Sequence, residues 1–420
     1  MTAISLPLRR ATLRRRHLLG LGYLALAGAV VLLFGSGTDP AATTSFGLNL
    51  GPSPLITLPD LVVPSALTAY VCAGLLAFAG ALQLARDLGS RWALLLGLVA
   101  VIFIFGFLTW AAAGKSMSLV GVLQTSVQRA VPITFGALSG VLCERSGVTN
   151  IAIEGMLLCG AFTGAVVGSG TGNIWVGLVA AVIVGGLLAA VLAVLAIRYL
   201  VNQIIAGTVI NIFASGLTAF LSMRVLQGNA ALNTPDRFAP IHIPILSDIP
   251  LVGPILFGSN IYVYMLFALI VLIHYALFHT RYGLRVRAVG EHPLAADTVG
   301  IDVLFTRYRN VILGGMVAGL GGAYFTLGST GGFDRDMTAG RGFIGLAAMI
   351  FGGWTPIGSF LASLVFGFAD ALQSRLSIVN VAVPSEFLLM VPYLVTILVV
   401  AGLVGRVRMP AADGQPYTKE

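Results

Sequence analysis

The sequence predicts an all-α fold: a polytopic transmembrane helical protein with about 10–12 membrane-spanning segments. The first indication is composition, because 57% of the 420 residues are hydrophobic and only 10% are charged, whereas a soluble domain has about 25% charged residues. The second is the content of 52 glycines, since small residues let membrane helices approach each other closely. The third is the division of the chain into long apolar runs separated by short polar segments.

The first apolar run extends from Leu18 to Phe34 and, as a helix, is about 25 Å long, just enough to span a bilayer. Five arginines precede it, namely Arg9, Arg10, Arg14, Arg15 and Arg16. No convincing cleavage site follows the run, so we expect an uncleaved first helix with a cytoplasmic N-terminus.

Eleven further apolar segments are expected to be helical. They are Leu61–Leu84, Trp92–Ala113, Leu119–Cys143, Ile151–Val167, Ile174–Leu200, Ile204–Met223, Ile261–Phe278, Tyr308–Leu327, Phe343–Phe351, Ile357–Leu372 and Phe387–Val404. The run Phe343–Phe351 is too short to cross a hydrocarbon core of about 30 Å, and Gly352–Pro356 interrupts it. It is therefore a half-helix or part of a broken span.

The net charge of +8 follows the same topology. Most arginines lie in the short segments that this topology places in the cytoplasm, as the positive-inside rule requires, and the long loops Gly35–Asp60 and Arg224–Asn260 hold few. Nucleic-acid binding needs basic residues clustered on a folded polar face, so it is not expected here.

Two parts of the chain resemble each other. Asn150–Gly155 leads into a glycine-rich run, and Gly340–Gly342 leads into Phe343–Phe351, each followed by a Gly-containing break and a long apolar run. Short interrupted segments at corresponding positions suggest internal repeats and broken helices that meet around a substrate path, although glycine-rich membrane helices also resemble each other by composition alone.

No enzyme signature is present in the sequence. Gly114-Lys115-Ser116 resembles the end of a phosphate-binding loop, but position 109 is Thr where that motif requires Gly. Cys72, Cys143 and Cys159 lie in apolar runs without metal-ligand spacing, which indicates buried thiols. We therefore expect no catalytic residue, no metal and no cofactor, and any ATP hydrolysis that powers transport belongs to another polypeptide.

The segment Thr280–Thr306, here called the coupling segment, is the most informative polar stretch. Proline favours the first position of a helix and glycine the residue just past its end, so Pro293 and Gly300 predict a short helix over Pro293–Val299. The spacing is compatible with a docking element for a cytoplasmic partner or with an ordered loop packed on its own protein.

Polar residues within the apolar segments are candidates for the substrate pathway, because they are costly at membrane depth. Arg129 has Gln128, Gln124 or Glu154 as candidate partners and Pro132 close by, and its role is either in the pathway or in a structural ion pair. The other candidates are Asn150, Glu154, Asn202, Gln203 and Asn211. Glu154 either lines the path or caps a half-helix, and the amides either bind a neutral polar solute or link helices.

Three runs carry a resemblance to a known family: Glu144–Met156, Val201–Gly207 and Gly290–Ile301. They resemble the ABC importer permeases of the branched-chain amino acid and simple-sugar group, and the first run looks like the nucleoside branch. The resemblance covers about Val120–Val404. It implies a permease in a bacterial plasma membrane that works with a cytoplasmic ATP-binding subunit, a second permease subunit in a heterodimer and an extracytoplasmic substrate-binding protein.

The resemblance also assigns roles and boundaries. It implies that the coupling segment contacts the ATPase through Gly290, Glu291, His292, Pro293, Ala295, Ala296, Asp297 and Gly300. The expected organisation is an N-terminal extension of three transmembrane helices (1–113), a permease core (114–405) that contains the coupling loop 280–306, and a cytoplasmic C-terminal tail (406–420). The expected solute is a nucleoside; simple sugars, branched-chain amino acids and an ion-driven secondary transporter stay as alternatives.

Overall fold

The computed structural model describes residues 6–50, 57–86, 91–379, 390 and 408–419. Within these ranges the fold is helical, with only two small sheets. Nine helices of the described chain are long and apolar enough to cross a membrane, and an additional helix, Leu119–Glu144, has 26 residues, or about 39 Å. The chain is therefore an all-α, multi-pass membrane protein, as predicted.

The chain divides into two compact units, Met1–Gly121 with Arg375–Leu388, and Val122–Ser374 with Leu389–Glu420. The first unit contains α1 (Leu6–Ala29, continued as a π-helical turn to Gly35), α2 (Ser65–Ala85) and α3 (Trp92–Ala111). Strands β1 (Thr43–Gly47), β2 (Leu61–Pro64) and β3 (Ser116–Ser118) form a sheet in the order β2-β1-β3. Phe34 is buried against Trp110, with ring centroids 4.9 Å apart.

The remaining helices, α4 to α13, lie in the second unit except for the first three residues of α4 and the last five of α13. They are α4 (Leu119–Glu144), α5 (Ile153–Thr171), α6 (Ile174–Ala193), α7 (Gln203–Leu221), α8 (Ile261–His279), α9 (Arg281–Glu291), α10 (Pro293–Thr298), α11 (Val303–Ala323), α12 (Arg341–Phe351) and α13 (Pro356–Val379). The π-helical turns Val194–Arg198, Ser222–Leu226 and Tyr324–Thr330 extend α6, α7 and α11. Strands β4 (Pro240–His242) and β5 (Gly258–Asn260) pair antiparallel.

Glycines bring the backbones of α6 and α11 close together in the second unit. A Cβ atom on Gly319 would lie 2.2 Å from the carbonyl oxygen of Ala181, and one on Gly185 would lie 2.3 Å from the carbonyl oxygen of Gly315. Neither position has room for a side chain. The high glycine content predicted this kind of contact but not which glycines make it.

The predicted segments match the helices, with two main differences. Leu61–Pro64 is a strand, so the helix expected from Leu61 begins at Ser65. The helix after Asn150 is a full-length α5 of 19 residues and not a short interrupted segment, whereas α12 is short, with 11 residues, or about 16 Å. The predicted segment Phe387–Val404 lies outside the described residues except for residue 390, and the domain boundaries stay a prediction.

Candidate solute cavity and coupling surface

A cavity of about 580 Å³ opens in the second unit, and both polar and aromatic side chains line it. The lining residues are Thr125, Gln128, Arg129, Pro132, Tyr324, Phe325, Ser329, Thr330, Gly331, Gly332, Phe333, Asp334, Met337 and Arg341. They come from α4, from the end of α11, from the loop that follows it and from the start of α12. This cavity combines hydrogen-bonding groups, two guanidinium groups and aromatic faces, which is the chemistry that a small polar solute with a planar ring requires.

The two arginines of the cavity share one carboxylate. Asp370 on α13 lies 3.6 Å from Nη1 of Arg129 and 3.1 Å from Nη2 of Arg341. The partner of Arg129 is thus Asp370 and not Gln128, Gln124 or Glu154. The guanidinium group of Arg341 also lies over the ring of Phe325, at 5.7 Å from its centroid. Asp334 also lines the cavity, so two carboxylates balance the two guanidinium groups there.

Glu154 joins the starts of α5 and α12. Its carboxylate accepts hydrogen bonds from the Thr338 hydroxyl at 2.6 Å, from Gly340 N–H at 2.8 Å and from Gly342 N–H at 2.6 Å. A carboxylate at this position satisfies N–H groups that a helix start leaves unpaired and opposes the positive end of the helix dipole. The contacts fit the capping interpretation. They also bring together Asn150–Gly155 and Gly340–Gly342, the two segments whose sequences resemble each other.

The four amide candidates make structural hydrogen bonds. Asn150 is buried and accepts from Ala152 N–H at 3.1 Å, and Asn202 caps the start of α7. The Oε1 atom of Gln203 accepts from Thr149 N–H at 2.7 Å. The side chain of Asn211 bonds to backbone atoms of Gly155 and Ile151, each at 2.8 Å.

None of these four amides is among the residues that line the cavity of about 580 Å³, and neither is Glu154. Of the six candidate pathway residues, Arg129 alone lines it. Their contacts fit the interpretation as links between helices and loops, and a pathway role for them stays a prediction.

The coupling segment folds as the proline and glycine signals predict. Helix α10 extends over Pro293–Thr298, one residue shorter than the predicted helix. Nδ1 of His292 accepts from Ala295 N–H at 3.2 Å, and Gly300 takes the left-handed conformation at φ +82°. Leu294 is 52% exposed, while Ala296 is 3% exposed and faces the protein interior.

The predicted coupling residues therefore divide into an outer and an inner set. Glu291, His292 and Ala295 are exposed and are available to a partner. Gly290 and Ala296 are buried, and a Cβ atom on Gly290 would lie 2.2 Å from the carbonyl oxygen of Arg145. These two residues hold the segment in place and do not face outward.

The described C-terminal residues 408–419, here called the C-terminal segment, lie against the coupling segment. A cavity of about 310 Å³ separates them and is lined by Glu291, His292, Pro293, Leu294, Ala411, Ala412, Gln415, Pro416, Tyr417 and Thr418. Asp413 is buried at the inner side of the segment, 8% exposed, and its carboxylate accepts from the Thr149 hydroxyl at 3.1 Å.

Burial raises the pKa of Asp413 to about 6, although a hydrogen bond from the Glu144 carboxyl and the charge of Arg307 oppose the increase. The carboxyl groups of Glu144 and Asp413 are hydrogen-bonded to each other. On its other side, Glu144 accepts a hydrogen bond of 2.6 Å from the Trp354 indole.

Sequence reasoning did not find the partners of Trp354 and Asp370. Trp354 has φ +52°, a left-handed conformation that is rare for a bulky residue, and Arg145 donates to its carbonyl oxygen at 2.8 Å. The available signal for Asp370 was its position as the sole acidic residue between Arg341 and Glu386, within an apolar helix where a charge needs a partner. No comparable signal marked Trp354.

The membrane-spanning helices and the polar cavity define a helical permease. The chain belongs to the family described as the permease component of branched-chain amino acid transport systems, which matches residues 122–400.

Several curated relatives support the same class. The chain is 39% identical to the guanosine ABC transporter permease protein NupQ of Bacillus subtilis, over 71% of this chain and 96% of the relative. It is 37% identical to the nucleoside ABC transporter permease protein NupC of Lactococcus lactis, over 72% and 99%. It is 34% identical to the putative glucose ABC transporter permease protein TsgC13 of Haloferax volcanii, over 71% and 98%. No solved structure matches the chain. The chain is thus a permease component of an ABC transporter.

Proposed function

We propose that this permease forms the translocation path of an ATP-driven importer for nucleosides and that the cavity around Arg129 is part of that path. The observation that carries the proposal is the composition of the cavity, in which Gln128 and Thr125 lie close to Tyr324 and Phe325. Amides and hydroxyls both donate and accept hydrogen bonds, as a ribose and a base edge require. Aromatic faces stack on nucleobases.

The names of two relatives support this solute class, since one is a guanosine permease and the other a nucleoside permease. A simple sugar is the second candidate, because another relative is named a putative glucose permease. The aromatic lining favours the nucleoside, since a sugar offers no aromatic ring to stack.

Competition experiments separate the solutes. In cells that express the transporter, we expect an excess of unlabelled nucleosides to abolish uptake of a labelled nucleoside, with little effect from glucose, ribose or leucine. Uptake should also persist with an uncoupler while ATP is maintained. Equal competition by glucose would favour the sugar, and loss of uptake with the uncoupler would favour an ion-driven carrier.

The partners form part of the same proposal. A separate ATP-hydrolysing subunit binds the exposed side of α10 on the cytoplasmic side, a second permease subunit completes the path, and a substrate-binding protein delivers the solute from outside. In the proposed topology the N-terminus lies in the cytoplasm of a bacterial cell. Exposed Leu294 is an apolar residue on a helix that is too short to be stable alone in water, which supports α10 as an element that a partner covers.

Co-purification tests the partner assignment. Leu294→Arg places a charge on the exposed side of α10, and Leu246→Arg places one on a partly exposed apolar residue of the loop after β4. We expect an ATPase to co-purify with the wild type and with Leu246→Arg but not with Leu294→Arg. If Leu294→Arg keeps the ATPase, α10 is not its docking element.

A further inference from the structure

The C-terminal segment holds the last turn of α9 from one side. Ala412 N–H donates to the Gly290 carbonyl oxygen at 2.9 Å, and Ala411 N–H donates to the Glu291 carboxylate at 3.3 Å. Gly290 lies on its other side against the backbone of Arg145, where a Cβ atom would be 2.2 Å from the carbonyl oxygen. The turn that leads into α10 is therefore held between the C-terminal segment and the end of α4.

Helix α10 also depends on the C-terminal segment for its packing. Ala296 is the buried residue of the helix and forms a small apolar cluster with Val289, Val303 and Tyr417. A helix of six residues is marginal in water without such contacts. The ring of Tyr417 therefore forms one side of the site that holds α10, and Nζ of Lys419 lies 3.6 Å from the carboxylate of Asp297.

Arg307 on α11 is the third contact of the segment. It is 2% exposed, and a buried charge is costly unless it is paired. Its Nη1 atom donates to the Gln415 carbonyl oxygen at 3.0 Å, and its guanidinium group lies 5.9 Å from the centroid of the Tyr417 ring. Asp413 provides the opposite charge close by, so the C-terminal segment compensates the buried arginine.

The inner end of the segment reaches α4. Asp413 accepts a hydrogen bond from the Thr149 hydroxyl at 3.1 Å, and its carboxyl group is hydrogen-bonded to that of Glu144, the last residue of α4. The titratable and charged side chains that face this pair are Arg307 and Cys143, beside the Thr149 hydroxyl and the Trp354 indole. From Glu144, α4 continues as one helix back to Arg129 at the cavity, fifteen residues or about 22 Å away.

We propose that the C-terminal segment transmits movement between the coupling helix α10 and α4, with Tyr417 and Asp413 as positioning residues. The inference rests on the proposed ATP-driven function. Energetic coupling is carried by packed side chains and hydrogen bonds that connect rigid elements, and the segment supplies such contacts at both ends. Without it, the exposed side of α10 still binds the ATPase, but its displacement is not passed on to α4.

The test measures solute transported per ATP hydrolysed by the full transporter in proteoliposomes. Tyr417→Ala removes the ring from the α10 site, Tyr417→Phe keeps it, and Met409→Ala alters an exposed residue of the segment that does not line the cavity at α10. We expect Tyr417→Ala to retain the co-purifying ATPase and to lower the transport ratio at least fivefold, with wild-type ratios for Tyr417→Phe and Met409→Ala. An unchanged ratio in Tyr417→Ala overturns the inference.

A second set of variants leaves the ring of Tyr417 in place, in case Tyr417→Ala does not fold. Lys419→Glu and Asp297→Lys each place like charges together, and the double variant restores opposite charges. We expect each single change to lower the ratio about twofold, since exposed ion pairs are weak, and the double variant to recover it. Absence of recovery overturns the inference. If no ATPase co-purifies with the wild type, the proposed function itself fails, and this outcome is distinct from a failure of the inference about the C-terminal segment.

Discussion

The close approach of α6 and α11 gives a prediction whose size follows from the structure. Gly319→Ala would place Cβ 2.2 Å from the Ala181 carbonyl oxygen, whereas ordinary contacts are 3.4–4 Å. The two helices must therefore separate locally by more than about 1 Å, and overpacking of this kind costs about 1–3 kcal/mol. Alanine regains up to about 1 kcal/mol because it favours a helix more than glycine does. The expected net loss in the free energy of unfolding is about 1–2 kcal/mol.

Gly216→Ala on α7 is the matched control, because nothing lies within 4 Å of the added Cβ atom. It gains the helix preference without the steric cost and should be neutral or slightly stabilising. Thermal unfolding of the detergent-purified protein measures both variants, and we expect Gly319→Ala to lower Tm by roughly 1–2 °C, since a chain of 420 residues has an unfolding entropy of about 0.9 kcal/mol/K. If Gly319→Ala is as stable as Gly216→Ala, close backbone packing does not hold α6 against α11.

Three further predictions concern the carboxylates. Asp370→Asn removes the shared partner of Arg129 and Arg341, so nucleoside uptake in proteoliposomes should decrease about tenfold, which corresponds to an activation barrier higher by ~1.4 kcal/mol. Wild-type uptake by the variant would show that this ion pair is dispensable. Glu154→Gln turns an amide NH₂ towards N–H groups at the start of α12, and the lost hydrogen bonds should lower the free energy of unfolding by about 1–3 kcal/mol, measured by thermal unfolding; an unchanged Tm refutes the capping role. Burial raises the pKa of Asp413 from 3.8 to about 6 when the C-terminal segment is docked on α4. Between these pH values the docked segment therefore holds a proton that the undocked segment has lost. Docking should be tightest below pH 4, weaken up to tenfold per pH unit between pH 4 and pH 6, and level off above pH 6. Hydrogen exchange of the C-terminal amides, corrected for the intrinsic rate, measures this opening, and Asp413→Asn should abolish its pH dependence; the same dependence in the variant would assign it to another group.

The cavity and the C-terminal contacts lie at opposite ends of the same helix. Arg129 lies in the first half of α4 and Glu144 ends it. Trp354 bonds to Glu144 at 2.6 Å in the turn between α12 and α13, the helices that carry Arg341 and Asp370. A displacement at the C-terminal segment thus has a continuous covalent and hydrogen-bonded route to the residues of the cavity.

The sequence alone determined the fold class, most helix positions and the short helix of the coupling segment. These features depend on local signals, namely apolar runs of spanning length and a proline and a glycine that bound a helix. They do not require knowledge of which residues meet in space. The run at Phe343–Phe351 was also recognised as too short to span, because length alone decides that question.

Only the tertiary structure decided which polar groups meet. Asp370 pairs with an arginine 241 positions earlier in the chain, Glu154 caps a helix almost 190 residues later, and Asp413 reaches the end of α4. The sequence offered several partners for Arg129, since every polar residue in an apolar helix is a candidate. The choice among them depends on how the helices pack, and glycine contacts between distant segments fix that packing. A buried polar group finds its partner in three dimensions, so its identity follows from the fold and not from spacing along the chain.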